Sequence, residues 1–233
     1  DMFESNNTYG YYHAIARAIS GGPVYITDIP GKQNFDVLWP LIDKNGYILR
    51  ADQPALLTED CLFQLQDNKP LKAFSFSGNS GLMAVFNAAD ADSVKGTVSP
   101  ADVQGLSNEM FAVYEFFSKE VIIMKLNEKK PIKLNRMGCQ YYHFVPLKKG
   151  VALIGLVNKY NAPKTILSSN ISDNKIEVRL LEGGLFKAVL PSKPKGAMVN
   201  GVPVKESTYQ NGVWTATIVS EGDKEVRLII NRE

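Results

Sequence analysis

Two aspartates lie beside apolar runs near the start of the chain. Asp1 opens the stretch Asp1-Met2-Phe3-Glu4-Ser5, and Asp28 follows the run Val24-Tyr25-Ile26-Thr27. An ionised carboxylate accepts hydrogen bonds from hydroxyl groups, and such charge-assisted bonds are the stronger kind. Asp28 also precedes Pro30 and a second apolar stripe, so its expected structural role is to cap the helix that follows. His13 lies one helical turn before Arg17, and His143 lies between Tyr142 and Phe144. The first is expected on a helix surface or in a structural contact, the second as a satisfied residue inside a sheet. Cys61 and Cys139 form no CxxC and have no metal-ligand spacing to His or carboxylate neighbours. Both are expected to be buried free thiols, which behave as small hydrophobes. No metal or cofactor is expected. Gly21-Gly22 precedes a strand, whereas phosphate-binding glycines follow one. Lys129-Lys130 and Lys148-Lys149 sit beside Pro or Gly and read as solvated turns. Trp39, Tyr209 and Trp214 offer faces for a sugar ring, but Trp39 and Trp214 fall on apolar stripes and read as core.

The elements that must position these residues follow two grammars. Up to about residue 45 the order is helix, strand, helix. Tyr12, Ile15, Ala16 and Ile19 recur at helical spacing within 9–20, with Thr8 as the expected N-cap and Gly21-Gly22 as the stop. Val24–Thr27 is apolar without alternation, as in a strand buried on both faces. Phe35, Leu38, Trp39 and Ile42 give the next helical stripe. That order belongs to parallel α/β sheets or barrels. From Asn45-Gly46 onward, short alternating strands are separated by turn signals such as Gly183-Gly184, Asn200-Gly201 and Asn211-Gly212. Lys175–Leu180 and Val213–Ile218 alternate cleanly, and further strands are expected near 74–76, 83–86, 112–116, 121–126, 141–145, 151–157, 185–190 and 225–230. Strands at this spacing indicate an antiparallel sandwich.

The 233 residues are enough for one or two domains but too few for a complete (β/α)8 barrel, which takes about 250, plus anything else. A composition that is 45% hydrophobic and 21% charged supports a sizeable core. The net charge of +2 argues against a dedicated nucleic-acid binder. No run approaches the roughly 18 apolar residues of a membrane span, so no membrane partner is expected. The chain begins at Asp1, and no signal-peptide pattern follows. The start is expected to be a processing site or the beginning of a fragment, which leaves the compartment unassigned.

The N-terminal residues resemble a known family. After Asp1–Ser5 come His13-Ala14-Ile15-Ala16-Arg17-Ala18-Ile19-Ser20-Gly21-Gly22-Pro23-Val24-Tyr25-Ile26-Thr27-Asp28-Ile29-Pro30-Gly31, then Ile48-Leu49-Arg50 and Asp60-Cys61-Leu62-Phe63. Residues 1–63 resemble glycoside hydrolase family 36, in the branch of raffinose synthases, seed imbibition proteins and alkaline α-galactosidases. The resemblance weakens beyond residue 64 to short stretches such as Met83–Asn87 and Val98–Val103.

The resemblance implies an α/β barrel tail followed by an all-β antiparallel sandwich. Residues 1–45 would be the C-terminal end of the barrel (helix 7, strand 8 and helix 8), with Asp1-Met2 ending strand 7, and residues 46–233 the sandwich. It implies the C-terminal portion of a retaining α-galactosidase acting on raffinose- or melibiose-type oligosaccharides. Retaining glycosidases use two carboxylates about 5–5.5 Å apart. The two aspartates that the family would use belong to stretches N-terminal to Asp1, and nothing in 1–233 matches them, so no catalytic residue is assigned. The substrate-binding candidates are Asp1 and Met2, at the galactose subsite, and Asp28. The partners implied are an α-galactoside and the rest of the barrel, supplied by an upstream segment or a companion polypeptide. Two other readings stand beside this one: a galactosyltransferase of raffinose-synthase type, and a free-standing carbohydrate-binding β-sandwich.

Overall fold

A computed structural model describes residues 2–63, 68–220 and 225–232. The N-terminal part runs β1 (Met2–Phe3), α1 (Gly10–Ser20), β2 (Tyr25–Ile26) and α2 (Phe35–Leu38), which continues as a 3-10 turn over Trp39–Leu41. β1 and β2 pair in parallel, Met2 opposite Tyr25 and Phe3 opposite Ile26. α1 starts one residue later than expected. Tyr9 rather than Thr8 holds the N-cap position, and the Asn7 side chain accepts from the Tyr9 N–H at 2.9 Å. It stops where expected, on Gly21 in the left-handed region at φ 71°. A Cβ there would lie 2.7 Å from the Gln53 carbonyl oxygen, so the backbone turn and the close packing both require glycine.

The strand read over Val24–Thr27 as buried on both faces is shorter and open. β2 holds two residues, and Tyr25 and Ile26 remain 58% and 45% exposed. The reason is topological: among the described residues β1 is its only neighbour, and no second layer covers it.

The chain then forms β3 (Leu56–Leu57), β4 (Leu71–Ser77), β5 (Ser80–Phe86), β6 (Ser93–Val98), β7 (Met110–Glu115), β8 (Val121–Lys125), β9 (Lys130–Asn135) and β10 (Cys139–Pro146). Six of these make an antiparallel sheet in the order β3-β4-β5-β10-β7-β8, while β6 and β9 form a separate antiparallel ribbon. Both faces of the six-stranded sheet are buried, which the period of two makes possible. Leu82, Ala84 and Phe86 point to the α1 side and join Ala14 and Ile15 in one core. Met83 and Val85 point the other way and pack with Val94, Val98, Ile132 and Leu134 of the ribbon. The Lys129-Lys130 turn is in part a strand start. Lys130 opens β9 and pairs with Glu120, and Pro131 is tolerated because β9 is a ribbon strand with one partner.

The last part contains β11 (Ala152–Leu156), β12 (Ile166–Ile171), β13 (Lys175–Leu180), β14 (Gly184–Val189), β15 (Gly196–Val199), β16 (Val202–Pro203), β17 (Ser207–Gln210), β18 (Val213–Ile218) and β19 (Val226–Asn231). They build a four-stranded sheet, β11-β14-β18-β17, and a five-stranded sheet, β12-β13-β19-β15-β16. Phe186, Ala188, Trp214 and Ala216 of the first sheet share a core with Ile176, Val178, Leu228 and Ile230 of the second. This is a sandwich of two antiparallel sheets. The β-rich character expected from the short alternating strands is therefore the dominant feature of the fold.

One seam joins the N-terminal part to this sandwich. Tyr160 donates its hydroxyl to the Val37 carbonyl at 3.1 Å and its N–H to the Pro40 carbonyl at 2.9 Å. Lys159 reaches the carbonyls of Trp39 and Ile42 at 3.2 and 2.6 Å, and Asn161 reaches that of Leu49 at 3.4 Å.

Candidate functional site

Of the residues that the sequence marks as substrate ligands, Met2 opens β1 and Asp28 lies just past the C-terminal end of β2. Because the two strands run in parallel, the loops that leave them lie side by side. The Thr27 N–H donates to the Phe3 carbonyl at 3.0 Å and carries the pairing one step past β2. That step places Asp28 against the segment after β1.

Asp28 is not the cap of α2, contrary to the expectation from its place ahead of Pro30. Asn34 is the cap, and its side-chain oxygen accepts from the Asp36 N–H at 3.1 Å. Ile29–Gln33 intervene as a loop, so Asp28 is too far from the helix start to serve it. Its carboxylate instead accepts from the Ser5 N–H at 3.0 Å, the Ser5 hydroxyl at 2.9 Å and the Asn6 N–H at 3.0 Å. Burial pushes the carboxyl up, but these donors outweigh it and hold Asp28 below the ordinary carboxylate value.

Ser5 is wholly buried, and its hydroxyl also accepts from the Asn34 N–H at 2.8 Å. One oxygen thus ties together the end of β1, the end of β2 and the start of α2. The loop is tight, since a Cβ on Gly10 would run into the Ser5 carbonyl. Sequence reading passed over Ser5, although it closes the Asp1–Ser5 stretch that carries the resemblance.

Met2 is exposed, and its carbonyl is held from below by Arg17, whose guanidinium donates to it at 3.0 Å and lies 5.3 Å from the Phe3 ring centre. The motif spacing of His13 and Arg17 therefore has a physical use: α1 delivers an arginine to the back of β1. His13 is half-buried, and burial followed by the Arg17 charge lowers its imidazole below the ordinary value. Asp1 lies outside the described residues.

The other candidates are dispersed. Trp214 is core, as expected, with its ring 6.1 Å from that of Phe186. Trp39 is not. It is 55% exposed and stacks on Phe35 with ring centres 5.0 Å apart and planes 20° apart. Phe35 and Trp39 are four residues apart, so they share a helix face, and that face is open. Tyr209 and Trp214 border a cleft of about 210 Å³ with Lys193, Ser207 and Thr208. Tyr209 spends its hydroxyl on the Leu190 carbonyl at 3.0 Å. His143 is fully buried and bonds the Tyr160 carbonyl through Nε2 at 2.6 Å, but its Nδ1 has no partner among the described residues, so it is only half satisfied there. Cys61 and Cys139 are both free; Cys61 is buried and Cys139 half-buried. Among the described residues no three His, Cys, Asp or Glu side chains come together as a metal site.

The family described as raffinose synthase or seed imbibition protein Sip1 matches residues 1–218, and the chain belongs to this family. Membership agrees with the resemblance read from residues 1–63. Among its relatives is a galactinol–sucrose galactosyltransferase of Oryza sativa subsp. japonica, 30% identical over 97% of this chain and 33% of its own length. Its counterpart in Pisum sativum is 29% identical over 98% of this chain and 33% of its own length. A stachyose synthase of Pisum sativum is 29% identical over 88% and 28%. The chain thus spans about a third of the length of the curated relatives that it matches. A solved α-galactosidase I from Mortierella vinacea superposes with a TM-score of 0.47, at 15% identity, over 63% of this chain and 38% of that one.

Proposed function

We propose that this chain is the C-terminal portion of an enzyme that moves terminal α-galactosyl groups. In this reading residues 1–45 are the end of a (β/α)8 barrel, residues 46–233 are the β-domain that follows, and the catalytic aspartates precede Asp1. The observation that carries the reading is the family match over residues 1–218. The bare β1–β2 pair supports it, because parallel strands occur in sheets covered on both faces. Met2, Tyr25, Ile26 and Ile29 are all exposed, and further barrel strands and helices would cover them.

Asp1 and Met2 belong, in this proposal, to the galactose subsite, with Asp28 beside them at the same strand ends. That is the face on which barrel enzymes place their chemistry. A glycosyl-enzyme intermediate is passed to water by a hydrolase and to a sugar hydroxyl by a transferase. The names of the relatives, galactosyltransferases and a stachyose synthase, favour a sugar acceptor.

The test is to incubate the longer protein with galactinol and sucrose, and separately with an aryl α-galactoside in water. Trisaccharide formation outpacing galactose release identifies a transferase, and the reverse identifies a hydrolase. No turnover of any α-galactoside would refute the proposal.

A further inference from the structure

We infer that Asp28 is a positioning residue, which fixes the segment after β1 through Ser5 and Asn6 and does not itself bind the sugar; the inference rests on the galactosyl reading above. An ionised carboxylate offers about four acceptor sites. Three are filled from within the chain, by the Ser5 N–H, the Ser5 hydroxyl and the Asn6 N–H. Those three donors belong to two consecutive residues, so the carboxylate grips one short stretch of backbone. The Ser5 hydroxyl has one proton to donate, which goes to Asp28, and it accepts from Asn34 on its other side. Ser5 is wholly buried, which shields its hydroxyl, while Asp28 is half-buried.

The grip bears on the substrate candidates because only Phe3 and Glu4 separate Ser5 from Met2. Upstream, Arg17 holds the Met2 carbonyl and the parallel pairing holds Phe3. Downstream, Gly10 leaves no slack against the Ser5 carbonyl. Asp28 therefore adds a side-chain hold on the segment between these two fixed points, the segment that follows Met2. The lowered Asp28 pKa follows from the same three donors and keeps the grip ionised below neutral pH.

The experiment compares Asp28→Asn and Ser5→Ala in the longer enzyme, by kinetics on an aryl α-galactoside and by amide hydrogen exchange of the peptide over residues 2–9. An amide in place of the carboxylate turns a donor toward donors, whereas Ser5→Ala removes one hydroxyl and is the milder change. A misplaced ligand costs on the order of 10- to 100-fold in kcat/KM. Positioning predicts losses of that size in both variants, faster exchange over 2–9 in both, and a double variant no worse than the worse single one, since both act on one element. Loss in Asp28→Asn alone, with exchange over 2–9 unchanged, would assign Asp28 to the sugar and overturn the inference. Should the unaltered enzyme turn over no α-galactoside, the galactosyl reading fails by itself, and unchanged exchange in both variants would still overturn the grip. If Asp28→Asn does not fold, Ser5→Ala decides: unchanged kinetics and exchange would overturn the inference.

Discussion

The Nε2 of His143 lies 2.6 Å from the carbonyl oxygen of Tyr160, so this buried imidazole keeps its one proton on Nε2. The ring is packed among those of Tyr114 and Tyr141, and Nδ1 finds no partner among the described residues. Burial is the main reason that the imidazole is pushed down to about 4; Lys119 adds to it and the Tyr160 bond opposes it. The folded chain thus stays neutral at His143 where the unfolded chain takes up a proton. Stability should therefore be complete above about pH 6.5, fall as pH drops towards 4, and level off below, with about 3 kcal/mol involved. Urea titrations at several pH values test this. His143→Phe should flatten the slope in that window, and an unchanged slope would assign it to other groups.

Lys159 and Glu182 form a buried ion pair at 2.9 Å. Glu182 also accepts from the Lys44 N–H, so both charges are spent on the seam with the N-terminal part. Lys159→Met strands a buried carboxylate and should cost about 3–5 kcal/mol. Lys159→Met with Glu182→Met should recover much of that loss, because no charge is left unpaired. Denaturant midpoints of the two variants give the comparison.

Thiol chemistry should be silent in the native protein. Burial, with Glu115 nearby, pushes the Cys139 thiol up to about 12, and Cys61 is buried with its sulfur 3.5 Å from the Pro70 carbonyl. The thiolate is the reactive form. At pH 8 an aromatic disulfide reagent should titrate neither cysteine quickly, and both once the chain is unfolded.

Gly21→Ala should cost about 1–3 kcal/mol, because the residue holds φ 71° and has no room for a Cβ. Gly22→Ala is the control: only the Ser20 hydroxyl oxygen lies near its added Cβ, at 3.5 Å. Equal melting temperatures for the two variants would contradict this account of the helix stop.

The sheets were far more legible in the sequence than the site. Lys175–Leu180 and Val213–Ile218 coincide with β13 and β18, because each buries one face and wets the other. β12 carries no such signal. Leu167, Ser168, Ser169 and Asn170 are all exposed on an edge, so nothing selects an alternating pattern there. Trp39 was misread because a helical stripe identifies a shared face without saying whether anything lies against it. Asp28 was misread because a cap is recognised by what precedes a helix, and a five-residue loop separates the two. The Ser5 hub has no local signature at all. Its partners come from 23 and 29 residues away, and only the parallel register brings them together.

The seam through Tyr160 and Asn161 has a consequence for how this protein can be taken apart and inherited. The change of grammar near residue 45 invites a cut there, but residues 37–49 lend their carbonyls to Lys159, Tyr160 and Asn161. A β-module trimmed at residue 46 would keep the Lys159–Glu182 pair but lose both carbonyl acceptors of Lys159 and the acceptor of the Tyr160 hydroxyl. The visible border in the sequence is thus a poor place for recombination. Any exchange of C-terminal domains among relatives that keeps the partners together should move its crossover upstream of Val37.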